Sequence, residues 1–194
     1  MKIRVLFEDR LAQGQPPRGY GPHAFLCACV ADEAATDLRL VRESIDSKPC
    51  KGNGNVVKEC ENAGYSATAF RLVAVLDEDK VRGLFNLPGN SCKSAIRTAF
   101  DAKVAPAGVI LADRLVLLES NLESLIDAIR WVEGLQPLAE KPGLNVRDIA
   151  LNRAARGPRE RRDLVRAALP SFDRLVRIVA RALGAVPAGP HMLP

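Results

Sequence analysis

The sequence has few aromatic residues and no hydrophobic run long enough to cross a membrane. Phenylalanine, tyrosine and tryptophan together make up 5% of its 194 residues. No apolar stretch approaches the ~20 residues that a transmembrane helix needs. The N-terminal residues lead directly into a strand-like run and lack the apolar stretch of a signal peptide. We therefore expect a cytoplasmic protein that has no membrane partner.

Patterns that bind zinc or build a disulfide framework are also missing. The five cysteines are an odd number, no two of them form a C-x-x-C pair, and only two histidines could join them at a metal ion. These features argue against both a disulfide-rich module and a zinc site. We expect the cysteines to be mainly buried free thiols.

Positive charge is present in excess, but it is unevenly distributed. The net charge is +5, and the segment 147–181 alone carries +6, with ten arginines against four acidic residues. Such a segment indicates a polyanionic partner, because guanidinium groups fit phosphate. The cluster lacks interleaved aromatic residues, which argues against a stacking platform for single strands. The candidate nucleic-acid contacts are Arg153, Arg156, Arg159, Arg161 and Arg162. The alternative is that these arginines form only the solvated face of amphipathic helices.

Strand-like and helix-like segments alternate along the first two thirds of the chain. Apolar runs predict strands at 2–7, 70–76 and 114–118, with a weaker strand within 37–47. The spacing of apolar residues predicts helices at 23–33, from 56, at 91–103, 121–131, 145–155, 159–169 and 171–183.

This alternation predicts an α/β fold with a mostly parallel sheet flanked by helices. A basic α-helical extension follows at the C terminus. We expect an α/β domain at 1–134, the helical extension at 144–183 and a flexible tail at 184–194.

Acidic residues follow three of the predicted strands. They are Glu8 and Asp9, then Asp77 and Asp79, then Glu119 with Glu123. If these strands are parallel neighbours, the acids gather at the edge of the sheet where ligands bind. Two residues apart on an extended backbone, Asp77 and Asp79 would point to the same side. Clustered oxygen ligands select hard cations, so the pattern predicts Mg²⁺ or Mn²⁺.

Each of these acids also has a purely structural explanation. Ser120 and Glu123 have the spacing of a helix capping box. Asp77 or Asp79 could cap the helix that follows, where an acid is favoured by the helix dipole. Glu8 and Asp9 could be a polar strand end, and the glycines at 52 and 54 could form only a turn.

Three of these features together resemble the Toprim domain. They are a first strand ending in Glu8, the glycine loop 51–55 before a helix, and an apolar strand ending in Asp77-x-Asp79. The later acids Glu119 and Glu123 look like the motif that follows in the OLD (overcoming-lysogenisation-defect) nuclease branch. The resemblance covers residues 2–133. It departs from the family at Asp9, which stands where Toprim domains usually carry glycine and could either crowd a metal site or supply an acid to it.

The resemblance implies a metal-dependent phosphodiester hydrolase that acts on DNA or RNA, in a phage-defence or mobile-element setting. Glu8 would be the general acid/base, Asp77 and Asp79 would hold the metal, and Glu119 and Glu123 would complete a second metal site. The candidate phosphate contacts are Lys51, Lys80 and Lys93. The sequence has no P-loop, so an ATPase half of the OLD kind would be a separate partner chain.

Two other classes of function remain open. A non-catalytic docking subunit could keep the same fold while binding nucleic acid or protein, and it would tolerate loss of Asp77 and Asp79. A receiver-like signalling domain would use Glu8, Asp9, Asp77 and the pair Lys141-Pro142. The separation of 69 residues between Glu8 and Asp77 is too long for a compact receiver.

Overall fold

The structure is a computed structural model that describes residues 2–9, 20–63, 70–104, 115–118, 121–138 and 143–184. Within these residues the strands are β1 (Lys2–Phe7), β2 (Ile45–Pro49), β3 (Phe70–Asp77) and β4 (Leu115–Leu118). The helices are α1 (Gly21–Ala34), α2 (Leu38–Ser44), α3 (Asn53–Ala63), α4 (Glu78–Leu84), α5 (Lys93–Val104), α6 (Asn121–Val132), α7 (Leu144–Arg156), α8 (Arg159–Ala168) and α9 (Pro170–Ala182).

The four strands form one parallel sheet in the order β2-β1-β3-β4. Phe7 of β1 lies opposite Val75 of β3, and Asp77 of β3 lies opposite Leu118 of β4. Residues Val73 to Asp77 and all of β4 are buried, as expected for strands that are covered on both faces. The predicted α/β fold with a mostly parallel sheet is confirmed.

The chain divides into two compact units. The first unit comprises Met1–Leu11 and Asp46–Leu122, and it contains the sheet with α3, α4 and α5. One of its hydrophobic clusters joins strand residues such as Leu6 and Leu76 to Val56 of α3 and to Ile96 and Phe100 of α5. This packing fixes the helices against the sheet.

The second unit is helical and comprises Ala12–Ile45 and Glu123–Pro194. Its centre is α1, where every residue from Gly21 to Ala31 except His23 is buried. A helix that is apolar on all sides must be covered on all sides, and α1 packs against α2, α7, α8 and α9. The division therefore differs from the predicted boundary after residue 134, because the C-terminal helices assemble around a helix from the N-terminal part of the chain.

The weak strand predicted within 37–47 is replaced by a helix followed by a strand. The Asp37 carboxylate caps α2 by accepting hydrogen bonds from the backbone N–H groups of Arg39 (2.7 Å) and Leu40 (3.4 Å). Arg39 also pairs with Glu43 one turn later. These local helix signals prevail until Ile45, where β2 begins.

Across the described ranges, no helix has the length and apolar character that crossing a membrane requires. The predicted C-terminal helices are present with nearly the expected bounds. Residues 185–194, and with them the predicted flexible tail beyond Gly184, lie outside the described residues.

Candidate functional site

The ends of β1 and β3 bring Glu8 and Asp77 together, as their positions after neighbouring parallel strands predict. The two carboxyl groups share a hydrogen bond, in which protonated Glu8 donates to Asp77. The Lys80 ammonium lies 3.1 Å from Asp77 Oδ2 and 3.8 Å from Glu8 Oε1. We call the group of Glu8, Asp77, Lys80 and the neighbouring Asn53 the acidic edge site.

Asp77 is an almost fully buried acid, with 1% of its surface exposed. It occupies the N-cap position of α4, but its side chain makes no capping hydrogen bond. Capping therefore does not explain why a carboxylate stands here. Burying a charged carboxylate is costly unless it is compensated, and here the compensation comes from Lys80 and Glu8.

Asn53 holds the backbone of Asp77 in place. Its side-chain Oδ1 accepts a hydrogen bond from the Asp77 N–H (3.2 Å), and its Nδ2 donates to the Asp77 carbonyl (3.4 Å). Both hydrogen bonds are buried. The Asn53 amide therefore pairs with the backbone of Asp77 in the way that a residue of a neighbouring strand would. The sequence pattern places Asn53 only within a glycine loop, and nothing in that loop indicates its bonds to the Asp77 backbone.

Backbone hydrogen bonds connect the loop before α3 to the end of β1. The N–H of Cys50 donates to the Phe7 carbonyl and that of Lys51 to the Asp9 carbonyl, each at 2.8 Å, and the N–H of Gly52 donates to the backbone carbonyl of Glu8. Gly52 has a φ of +121°, a backbone angle that residues with a side chain rarely adopt. The glycine at position 52 therefore lets the chain turn at the sheet edge, and this turn places Asn53 next to Asp77.

The environment of Glu8 makes its carboxyl group hold a proton at neutral pH. Burial, followed by the hydrogen bond to Asp77 and the charge of Asp77, raises the pKa of Glu8 from 4.5 to about 8, while Lys80 opposes the shift. The hydrogen bond to Asp77 also raises the pKa of Lys80. The site therefore combines the protonated carboxyl group of Glu8, the buried carboxylate of Asp77 and the ammonium group of Lys80. Such a combination can carry out acid–base chemistry.

Of the other predicted acids, Asp79 does not lie beside Asp77, whereas the charge of Asp9 contributes to the raised pKa of Glu8. The chain becomes helical at Glu78, so Asp79 lies exposed in the first turn of α4 and does not share a side with Asp77. Glu123 lies in the first turn of α6 and belongs to the second unit. Asp9 is half-buried beside the loop. Glu119 and Ser120 lie outside the described residues, as do Lys141 and Pro142.

Among the described residues, no group of three or more Asp, Glu, His or Cys side chains is arranged to hold a metal ion. Of the predicted phosphate contacts, Lys80 lies in the acidic edge site. Lys51 is exposed in the adjoining loop with a φ of +62°. The Lys93 ammonium lies 3.2 Å from Glu78 Oε2.

The arginine cluster divides into structural and exposed members. Arg162 is largely buried, and its guanidinium bonds to both carboxylate oxygens of Asp32 at 2.5 and 2.9 Å. Arg162 is therefore a structural residue and not an available phosphate contact. Arg153 pairs with Glu133 and Arg159 with Asp163, and Arg156 and Arg161 are exposed.

Internal acids neutralise further charge in this segment. The Arg166 guanidinium is 7% exposed and bonds to Glu33 (2.5 Å) and Asp173 (2.7 Å). The apparent +6 charge of the segment therefore overstates the positive charge that the second unit presents to a partner.

No protein-family model matches the sequence, and a comparison with curated proteins gives no significant match.

Proposed function

We propose that the acidic edge site hydrolyses phosphodiester bonds in DNA or RNA with the help of Mg²⁺ or Mn²⁺. The observation that carries this proposal is the contact between buried Asp77 and Glu8 at the carboxyl edge of a parallel sheet, with the Lys80 ammonium beside both. The same two acids carry the sequence resemblance to Toprim nucleases, which supports the proposal independently of the geometry.

The residues present fit a magnesium or manganese ion. Mg²⁺ prefers carboxylate oxygen and commonly takes only one or two protein carboxylates, because waters and substrate phosphate oxygens complete its coordination. Asp77 would hold the ion, since its carboxylate is buried and Asn53 fixes the backbone that carries it. When bound, the ion would supply positive charge that offsets the charge on the phosphoryl oxygens.

The chain's own groups then have distinct tasks. Glu8, which holds a proton at neutral pH, would act as the general acid/base. The Lys80 side chain is 57% exposed, so its ammonium can turn from Asp77 to a phosphate oxygen. Asn53 fixes the end of β3 and is a positioning residue.

The first experiment measures whether the site binds metal. Mn²⁺ or Mg²⁺ is titrated into the protein and into Asp77→Asn, and thermal unfolding is followed. A ligand that binds only the native state raises its apparent stability, so we expect the unfolding midpoint to rise with metal in the wild type and not in Asp77→Asn. Asp101→Asn removes one exposed acid from α5 and is the matched control; it should respond like the wild type.

The second experiment measures cleavage of labelled DNA and RNA oligonucleotides with and without a chelator. We expect cleavage that requires the metal, is abolished by Asp77→Asn and persists in Asp101→Asn. A protein that binds the oligonucleotides but cleaves none of them with either metal would instead be a docking subunit. Cleavage that survives Asp77→Asn would contradict the proposed site.

A further inference from the structure

The second unit contains a cavity of about 390 Å³ that is lined by residues of α1, α6, α7 and α8. Its apolar lining includes Phe25, Ile129 and Val165, which are 0%, 2% and 3% exposed. The volume falls in the range of about 300–1,000 Å³ that is typical of small-molecule sites. The cavity therefore reaches the core of the unit and is large enough for a ligand.

Ion pairs fasten the walls of this cavity to one another. Arg162 of α8 binds Asp32 of α1, and the same guanidinium donates to the carbonyl oxygens of Ala155 (3.2 Å) and Gly157 at the end of α7. Arg153 of α7 lies 2.6 Å from Glu133, which follows α6. Because each wall is tied to another, the cavity is preformed and is not a loosely packed gap.

The remaining lining residues define the chemistry of the cavity. The charge of Arg153 is matched by Glu133 and that of Arg162 by Asp32. Among the described residues, Arg161 is the lining guanidinium without a carboxylate partner. Leu135, also in the lining, is a large apolar side chain that is 44% exposed. One unmatched cation beside an apolar interior favours a ligand with an apolar body and a single negative group.

We propose that this cavity binds a small organic anion with an apolar body, such as a medium-chain fatty acid. The apolar part lies against Phe25, Ile129 and Val165, and the carboxylate pairs with Arg161. This binding site is separate from the acidic edge site, and neither proposal depends on the other.

The test is isothermal titration calorimetry of the full chain with octanoate and with octan-1-ol, which has the same chain length without the charge. We expect saturable 1:1 binding of octanoate. Arg161→Gln should weaken octanoate binding by about three- to fivefold, the effect of one exposed ion pair, and leave octan-1-ol binding unchanged. Arg181→Gln removes the same charge from an exposed position on α9 and should change neither.

A second pair of variants tests the cavity itself. Ala154→Leu on α7 and Val132→Phe on α6 add bulk to the lining and should abolish binding of both ligands, while circular dichroism and urea unfolding verify the fold. Octanoate binding that never saturates, or that persists in a folded cavity-filling variant, would overturn the proposal. Equal weakening by Arg161→Gln and Arg181→Gln would also overturn it, because the effect would then follow net charge and not the site.

Discussion

Replacing Glu8 by glutamine should change how the stability of the protein depends on pH. A carboxyl group whose pKa rises from 4.5 to about 8 on folding favours the folded state at low pH. That contribution is fully present below pH 4.5 and is lost as the pH rises through about 8. Glutamine cannot ionise, but its amide can still donate a hydrogen bond to Asp77. The variant should therefore keep the contact and lose the pH dependence.

The magnitude follows from the shift and from the exposure of the group. If the whole pKa shift of Glu8 is converted to free energy, it corresponds to about 5 kcal/mol of stability lost between low and high pH. The Glu8 side chain is 21% exposed, so water stabilises the ionised form, while the attraction of Lys80 is already contained in the pKa of about 8. We therefore expect a loss of about 1–3 kcal/mol after this screening.

The assay is urea unfolding of both proteins at pH 5, 7 and 9 in metal-free buffer that contains a chelator. The difference in free energy of unfolding between wild type and Glu8→Gln reports on Glu8 and on Lys80, whose pKa the charge of Glu8 raises, because the more distant titrating groups are common to both. We expect the wild type to lose stability relative to the variant as the pH rises. Parallel behaviour of the two proteins across this range would refute the assignment of the shared proton.

Two further predictions concern the packing that positions the site and the helical unit. Asn53→Ala removes both side-chain hydrogen bonds to the buried N–H and carbonyl of Asp77 and should cost about 2–4 kcal/mol in urea unfolding. Asn55→Ala removes one exposed bond to the Lys51 carbonyl and should cost less than about 1 kcal/mol; equal losses would contradict the role of Asn53. Gly21→Ala would place its Cβ 2.8 Å from both Asp148 Cα and Leu151 Cβ and should destabilise by about 1–3 kcal/mol. Gly83→Ala meets nothing within 4 Å and should stabilise α4 by about 0.5–1 kcal/mol in the same measurement; similar effects of the two would show that no close helix approach exists at residue 21.

The sequence carries enough local information to predict most of the regular structure. Strand β3 is a nearly continuous apolar run and β1 is apolar from Val5 to Phe7. Helices α7 to α9 have helical spacing and proline or glycine at their ends, so the sequence predicts both types of element. The proximity of Glu8 and Asp77 was also predictable, because the carboxyl ends of neighbouring parallel strands share an edge. The strand predicted within 37–47 is wrong over residues 38–44, where a capping aspartate outweighs a short alternation of apolar residues and α2 forms.

The features that escaped prediction depend on contacts between distant parts of the chain. Arg162 binds Asp32, which is 130 residues earlier, so its local cluster of arginines gave no indication that it is structural. The side chain of Asn53 recognises the backbone of Asp77, and no residue pattern encodes such a bond. The separation of Asp79 from Asp77 is an exception with a local cause, because the chain becomes helical at Glu78; an acid at a helix start is the structural alternative that the sequence already offers.

The assembly of the second unit has a consequence during protein synthesis. Helix α1 is made early, yet α7, α8 and α9, which cover it, begin more than 100 residues later. Its apolar surface must therefore remain uncovered by these partners until the ribosome has released the C-terminal part of the chain. During that interval the nascent chain presents a ready target for chaperones and for aggregation. A chain that terminates before residue 143 would present this surface permanently.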